Sequence, residues 1–228
     1  MPDQPEPLHP LLRSYGRIKS RPIKPRQAAL MESLLPTIRP PEGPFDPREL
    51  MPGAAEAWLE IGFGGGEHMA AQGARRQHVL IVGAEPFQNG VASALRHIDE
   101  AGLRNVRVHD GDVRELLERM PDASLARAFV LFPDPWPKTR HHKRRIVQPD
   151  MVAELARLIR PGGTLRFASD VAHYVDWSLE KILANPAFVW TAERADDWRV
   201  PPADHITTRY EEKRLGDCAP VFLDFVRA

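Results

Sequence analysis

Short apolar strands separated by helical stretches set the tightest limit on what this chain can fold into. Residues 57–62 read as a buried strand running into glycines, and 79–85 as a second. A third, at 105–109, is short and alternating. A fourth lies at 128–132, and a fifth at 164–170 follows the turn Pro161-Gly162-Gly163. Helical patterns fill the gaps at 67–76, 87–101, 113–119, 148–159 and 171–183. Parallel neighbours need a crossover between them, so strands interleaved with helices predict an α/β fold with a mostly parallel sheet covered on both faces. Residues 188–193 and 221–226 have little helix between them and should finish the sheet as a pair, one strand antiparallel. There is no repeat and no second domain.

Length and composition agree with one globular domain: 228 residues, 43% hydrophobic and 27% charged. Thirty-one basic and thirty-one acidic residues cancel, so affinity for a polyanion must come from local segregation of charge. Cys218 stands alone, which excludes an internal disulfide and a cysteine-built zinc site. Without a membrane-length apolar run or a signal-peptide core, the expected setting is soluble and cytoplasmic. Segregation is visible in residues 1–54, a proline-rich basic arm ahead of the domain expected at 55–228. Arg13, Arg17, Lys19, Arg21, Lys24 and Arg26 carry its charge, with no acid from 13 to 26. The arm reads either as a solvated tail or as a segment that orders on RNA phosphates. Residues 27–35 suggest a short helix ended by Pro36.

Glu60-Ile61-Gly62-Phe63-Gly64-Gly65-Gly66 ends the first strand and opens a helix. Glycines there let the backbone approach a ligand closely. Glu85 ends the next strand, where a carboxylate commonly bonds ribose hydroxyls. Glu67 occupies the place a dinucleotide fold gives its third glycine. That spacing, with an acid two residues before the first glycine, fits S-adenosylmethionine better than NAD. Asp112 follows the third strand and can accept from an adenine amino group, cap the helix at 113, or do both.

After the fourth strand comes Leu131-Phe132-Pro133-Asp134-Pro135-Trp136-Pro137-Lys138, then Thr139-Arg140-His141-His142-Lys143-Arg144-Arg145. Proline on both sides restricts the backbone, so Asp134 sits on a stiff loop. An acid beside a ring and a dense cationic run can hold a base and its phosphates, which suggests an enzyme acting on nucleic acid. Arg140, Lys143, Arg144 and Arg145 could instead form a solvated face, but open α/β sheets bind ligands at this carboxyl edge. His141 and His142 have no metal-ligand pattern and read as further RNA donors at most. Trp136 either stacks on a base or seals the loop. Trp177, Trp190 and Trp198 read as packing residues.

With these pieces the chain resembles the bacterial tRNA (guanine-N7)-methyltransferases. The resemblance rests on Leu59-Glu60-Ile61-Gly62-Phe63-Gly64, Gly83-Ala84-Glu85, Phe132-Pro133-Asp134-Pro135-Trp136, Lys138 with the 140–145 run, Ser169-Asp170, and Thr208-Arg209-Tyr210-Glu211-Glu212-Lys213. It implies a Rossmann-like, seven-stranded methyltransferase sheet and methylation of a guanine in the tRNA variable loop. It also implies that Glu60, Gly62, Gly64, Glu85, Asp112 and Asp134 serve S-adenosylmethionine, with Asp134 catalytic as well. Lys138, Asp170, Thr208, Arg209, Tyr210 and Glu211 match the family's substrate-contacting positions, and Arg140, His141, His142, Lys143, Arg144 and Arg145 its RNA-facing run. The proline-heavy arm, with Pro22 and Pro25, departs from the pattern. tRNA is the implied partner, with no membrane and no metal. Oligomeric state is left open, a monomer slightly favoured. The rival readings are a non-catalytic RNA-binding module and an NAD-linked oxidoreductase.

Overall fold

The computed structural model describes Ile18, Ser20 and residues 22–228. Residues 1–17, 19 and 21 of the basic arm, with Arg13, Arg17, Lys19 and Arg21, lie outside the described residues. Among those described, β1 (Glu56–Ile61), β2 (Val79–Ala84), β3 (Val106–His109), β4 (Leu125–Leu131), β5 (Ile159–Ser169), β6 (Phe188–Trp190) and β7 (Val221–Arg227) form one sheet in the order β3-β2-β1-β4-β5-β7-β6. Neighbours from β3 through β5 are parallel. β7 runs antiparallel to both β5 and β6, so the late pair closes the sheet as the sequence suggests.

Helices cover both faces because successive strand residues alternate between them. On one face Leu59, Val82, Val130 and Phe167 pack with Leu116 of α5 (Val113–Leu117), Leu155 of α6 (Pro149–Leu158) and Tyr174 of α7 (Ala172–Leu183). On the other, Trp58, Ile81, Val108 and Phe129 pack with Met69 of α3 (Glu67–Arg75) and Leu95 of α4 (Gln88–Glu100).

Pro36 does not end the N-terminal helical run. α1 spans Pro25–Ser33, and Pro36 sits in the first turn of α2 (Leu35–Ile38), where a missing N–H costs nothing. Leu35 and Ile38 are buried in the second face's core, so this segment docks onto the sheet. Arg26 pairs with Asp99 and Glu100 of α4, and Arg39 with Asp110. β5 starts earlier than 164: it takes in Pro161-Gly162-Gly163 through a register shift, with Gly162 left-handed at φ 75°. The short helices α8 (Asp196–Arg199) and α9 (Arg209–Glu212) have no counterpart in the sequence expectation.

Candidate active site

The strand order reverses between β1 and β4, since β1 leads outward to β2 and β3 while β4 leads to β5. In open α/β sheets such a switch point opens a crevice at the strands' carboxyl ends. Here the crevice is a cleft of about 700 Å³, lined by Glu60, Gly62, Gly64, Glu85, Asp112 and Asp134 among others. Each of these acids comes from the carboxyl end of its own strand or the loop that follows.

The glycine turn presents bare backbone. Gly62 and Gly64 have φ of 69° and 54°, and a Cβ on either would stand in open space. A side chain there would therefore be strained and would occupy room left for a ligand. Glu85 holds the turn: its Oε2 accepts from the Gly64 N–H at 2.8 Å and its Oε1 from the Phe87 N–H at 2.9 Å. Burial raises the Glu85 carboxyl above its ordinary value despite those two donors. Asp112 accepts from the Arg114 N–H at 3.0 Å and from its guanidinium at 2.9 and 2.6 Å, so it caps α5 while lining the cleft. Burial opposes ionisation of Asp112, but the Arg114 bonds hold its carboxyl below the usual range. Glu60 is buried and bonded to His68 Nδ1 at 2.7 Å.

Asp134 sits between two strained residues. Phe132 and Trp136, two positions to either side, are left-handed at φ 49° and 43°. Each such conformation costs on the order of 1–3 kcal/mol and persists only where surrounding contacts enforce it. One enforcing contact is Arg145, whose Nε donates to the Pro135 carbonyl at 2.8 Å. The Asp134 side chain is open to the cleft, yet the flanking walls remove enough water to raise its pKa. The Arg144 guanidinium lies 5.0 Å from the Trp136 ring centroid, and His141 meets the same ring edge-on at 6.0 Å.

The cationic run is not a uniform RNA-facing loop. Thr139–Arg144 form a 3-10 helix whose exposed cations are Arg140 and Lys143, with Lys138 exposed just ahead of it. Arg145, expected on the RNA side, is only 2% exposed and lies 4.8 and 4.9 Å from the Tyr174 and Trp177 rings. Its guanidinium points inward, bonded to the Pro135 carbonyl and against His173, and does not face solvent with Arg140 and Lys143. His142 packs against His173 and Trp177, at 5.0 and 5.3 Å between centroids.

Thr208, Arg209 and Tyr210 also line the cleft. Glu211, expected against substrate, turns the other way. Its Oε2 accepts from the Thr208 N–H at 2.8 Å in a capping box, and its Oε1 bonds His205 Nε2 at 2.8 Å. Burial works against ionisation there, but His205 and the Thr208 amide hold the Glu211 carboxyl below its ordinary value. Asp170 is buried too, accepting from the Gly216 N–H at 3.0 Å and bonding the Tyr210 hydroxyl, so its link to the cleft runs through Tyr210. His68, Gln72 and Asp204, absent from the sequence expectation, join these parts from behind. His68 and Gln72 lie four apart on one helix face, which is the only local signal they give. Among the described residues no group of three or more His, Cys, Asp or Glu could hold a metal ion.

Bare glycines and a row of acids at the switch point of a sheet with one antiparallel strand define the class: a Rossmann-like methyltransferase. Two solved structures share the fold. The 16S rRNA methyltransferase KamB matches with a TM-score of 0.57 at 15% identity, over 79% of this chain and 92% of its own. The 16S rRNA (adenine(1408)-N(1))-methyltransferase from Catenulisporales acidiphilia gives 0.56 at 18%, over 84% and 97%. A family model described as "Putative methyltransferase" matches residues 54–222. The tRNA (guanine-N(7)-)-methyltransferase of Caulobacter sp. (strain K31) is 62% identical over 98% of both chains. Its namesake from Hyphomonas neptunium is 54% identical over 94% of this chain and 99% of its own. The chain belongs to the tRNA (guanine-N(7)-)-methyltransferase family.

Proposed function

We propose that this protein transfers a methyl group from S-adenosylmethionine to N7 of a guanine in the variable loop of tRNA. The observation that carries this reading is Asp134, held by strained backbone at the switch point beside a glycine turn that a cofactor's atoms would fill. S-adenosylmethionine supplies an electrophilic methyl on a sulfonium. Glu60, Gly62, Gly64, Glu85 and Asp112 would hold it. A carboxylate has about four lone-pair sites, so Glu85 can take ribose hydroxyls while keeping its two backbone donors. Asp112 can likewise accept from the adenine amine without releasing Arg114.

On the guanine side the acceptor nitrogen has an exposed lone pair and no proton to lose. The step therefore needs no general base, and the chain's work is positioning and electrostatics. Asp134 accepts from guanine N1–H or its exocyclic amine and offsets the positive charge that builds on the ring. Tyr210, tied to Asp170, closes the cleft wall with Thr208 and Arg209. Lys138, Arg140 and Lys143 meet phosphates outside it. N7 lies in the A-form major groove, too deep for side chains, so the target must be splayed from regular helix. Residues 1–54, acting as an arm ahead of the domain at 55–228, would add further phosphate contacts, and a tRNA substrate implies the cytoplasm.

Transfer of labelled methyl to unmodified tRNA, followed by nucleoside digestion, tests the proposal. It predicts label in 7-methylguanosine; label in another nucleoside, or none, would refute it.

A further inference from the structure

A buried hydrogen-bonded chain runs behind the cleft from the cofactor side to the substrate side. Glu60 Oε2 and His68 Nδ1 are 2.7 Å apart, His68 Nε2 and Gln72 Nε2 3.2 Å, and Gln72 Nε2 reaches the Asp204 carbonyl at 2.7 Å. Glu60, His68 and Gln72 are 3%, 2% and 1% exposed. The direction of every bond follows from the last acceptor. A backbone carbonyl only accepts, so the Gln72 atom facing it is the amide nitrogen, which donates to His68 Nε2 as well. His68 must then carry its proton on Nδ1 and donate it to Glu60. Gln72 Oε1 is buried with no partner among the described residues, so the amide gives up its own acceptor to make both donor bonds.

The two ends of this chain are functional parts. At one end the His68–Glu60 bond closes the base of the Gly62–Gly66 turn, because His68 lies in the first turn of α3 directly after it. At the other, Asp204 is fixed by Arg127 and Arg166, each at 2.6 Å. The next residue, His205, bonds Glu211 of the capping box that presents Thr208, Arg209 and Tyr210 to the cleft.

We propose that His68 and Gln72 are positioning residues that hold the Glu60 carboxylate and the 204–211 segment to one another, aligning the methyl donor's site with the guanine's. The proposal rests on the function assigned above. Gln72→Met keeps the bulk but removes both amide bonds, to His68 Nε2 and to the Asp204 carbonyl, and leaves the His68–Glu60 bond in place. It should raise the tRNA KM about tenfold, the scale of one net hydrogen bond, and leave the S-adenosylmethionine Kd within about twofold. His68→Leu removes both ties and should raise both constants. His68→Asn offers Glu60 an N–H again but is too short for Gln72, so it should restore the cofactor Kd and leave the tRNA KM high.

Calorimetry for the cofactor and steady-state kinetics for tRNA read this split, with thermal melting run alongside. If His68→Leu does not fold, the Gln72→Met and His68→Asn variants still decide the matter. An unchanged tRNA KM in Gln72→Met, equal rises in both constants there, or His68→Asn with a poor cofactor Kd would overturn the coupling. Wild-type protein that fails to bind S-adenosylmethionine would defeat the assigned function itself. Wild type that binds and methylates, with unsplit variants, would defeat this inference alone.

Discussion

Asp134 combines three features that rarely coincide: strained neighbours, access to the cleft, and a raised pKa from partial loss of water. Asp134→Asn keeps the shape and loses the charge, so single-turnover methyl transfer should fall by ~10²–10³, the usual cost of one preorganised electrostatic contact. The pH profile follows from the direction of the shift. A raised carboxyl pKa means the proton is kept to higher pH, so activity should be lost on acidification at a pH above the ordinary carboxylate range. Across neutral pH the wild-type rate should stay flat, because N7 requires no deprotonation. A rise through neutrality that disappears in Asp134→Asn would make this residue a base instead. At Gly64, Val would strain the backbone and fill the open space, abolishing cofactor binding by calorimetry while melting stays cooperative. Glu85, Asp112 and Asp134 were legible as acids at strand ends because that signal is local. His68 and Gln72 were not, because Gln72 finds its partner 132 residues away.

At the scale of elements, the cationic segment divides by burial. Arg140→Ala and Lys143→Ala should each flatten the salt dependence of tRNA binding, by a log–log slope of about 0.7–0.9 per lost phosphate contact. Arg145→Ala should leave that slope alone and lower turnover, because it releases the Pro135 carbonyl next to Asp134. Composition marked the run as basic but could not show that it winds as a 3-10 helix with one cation turned inward. The segment ending in α9 is anchored elsewhere, by Asp204. Burial alone would raise the Asp204 carboxyl, but Arg166 and Arg127 hold it well below its ordinary 3.8. A lowered folded-state pKa contributes stability that is present above 3.8 and lost as pH falls below it. Asp204→Asn leaves two largely buried guanidinium groups short of a partner. Its cost should lie at or below the low end of the ~3–5 kcal/mol seen for broken buried pairs, since Arg166 keeps Asp224. Urea denaturation should show that deficit at pH 7 and a smaller one at pH 3.

Over the whole molecule, apolar runs and their spacing were enough to place the strands and the crossover helices, because core burial on two faces writes itself into composition. The antiparallel finish was legible because the sequence between 188–193 and 221–226 shows little helix, and α8 and α9 are each only one turn long. The docking of α1 and α2 was not: the sequence suggested a short helix at 27–35, but nothing local shows that Leu35 and Ile38 pack into the core of the sheet's second face. This architecture puts the glycine turn and Asp134 just after adjacent strands, β1 and β4, so the proposed donor and acceptor would meet where the sheet reverses. The central claim is that the acceptor is guanine N7, and one substitution in the RNA isolates it. A tRNA transcript with 7-deazaguanine in place of guanine lacks that nitrogen's lone pair and keeps the N1–H and exocyclic amine that would face Asp134 in the proposed complex. In single-turnover transfer it should compete with the normal transcript for binding yet receive no methyl group. Methyl incorporation into the 7-deaza transcript at the normal rate would contradict the account.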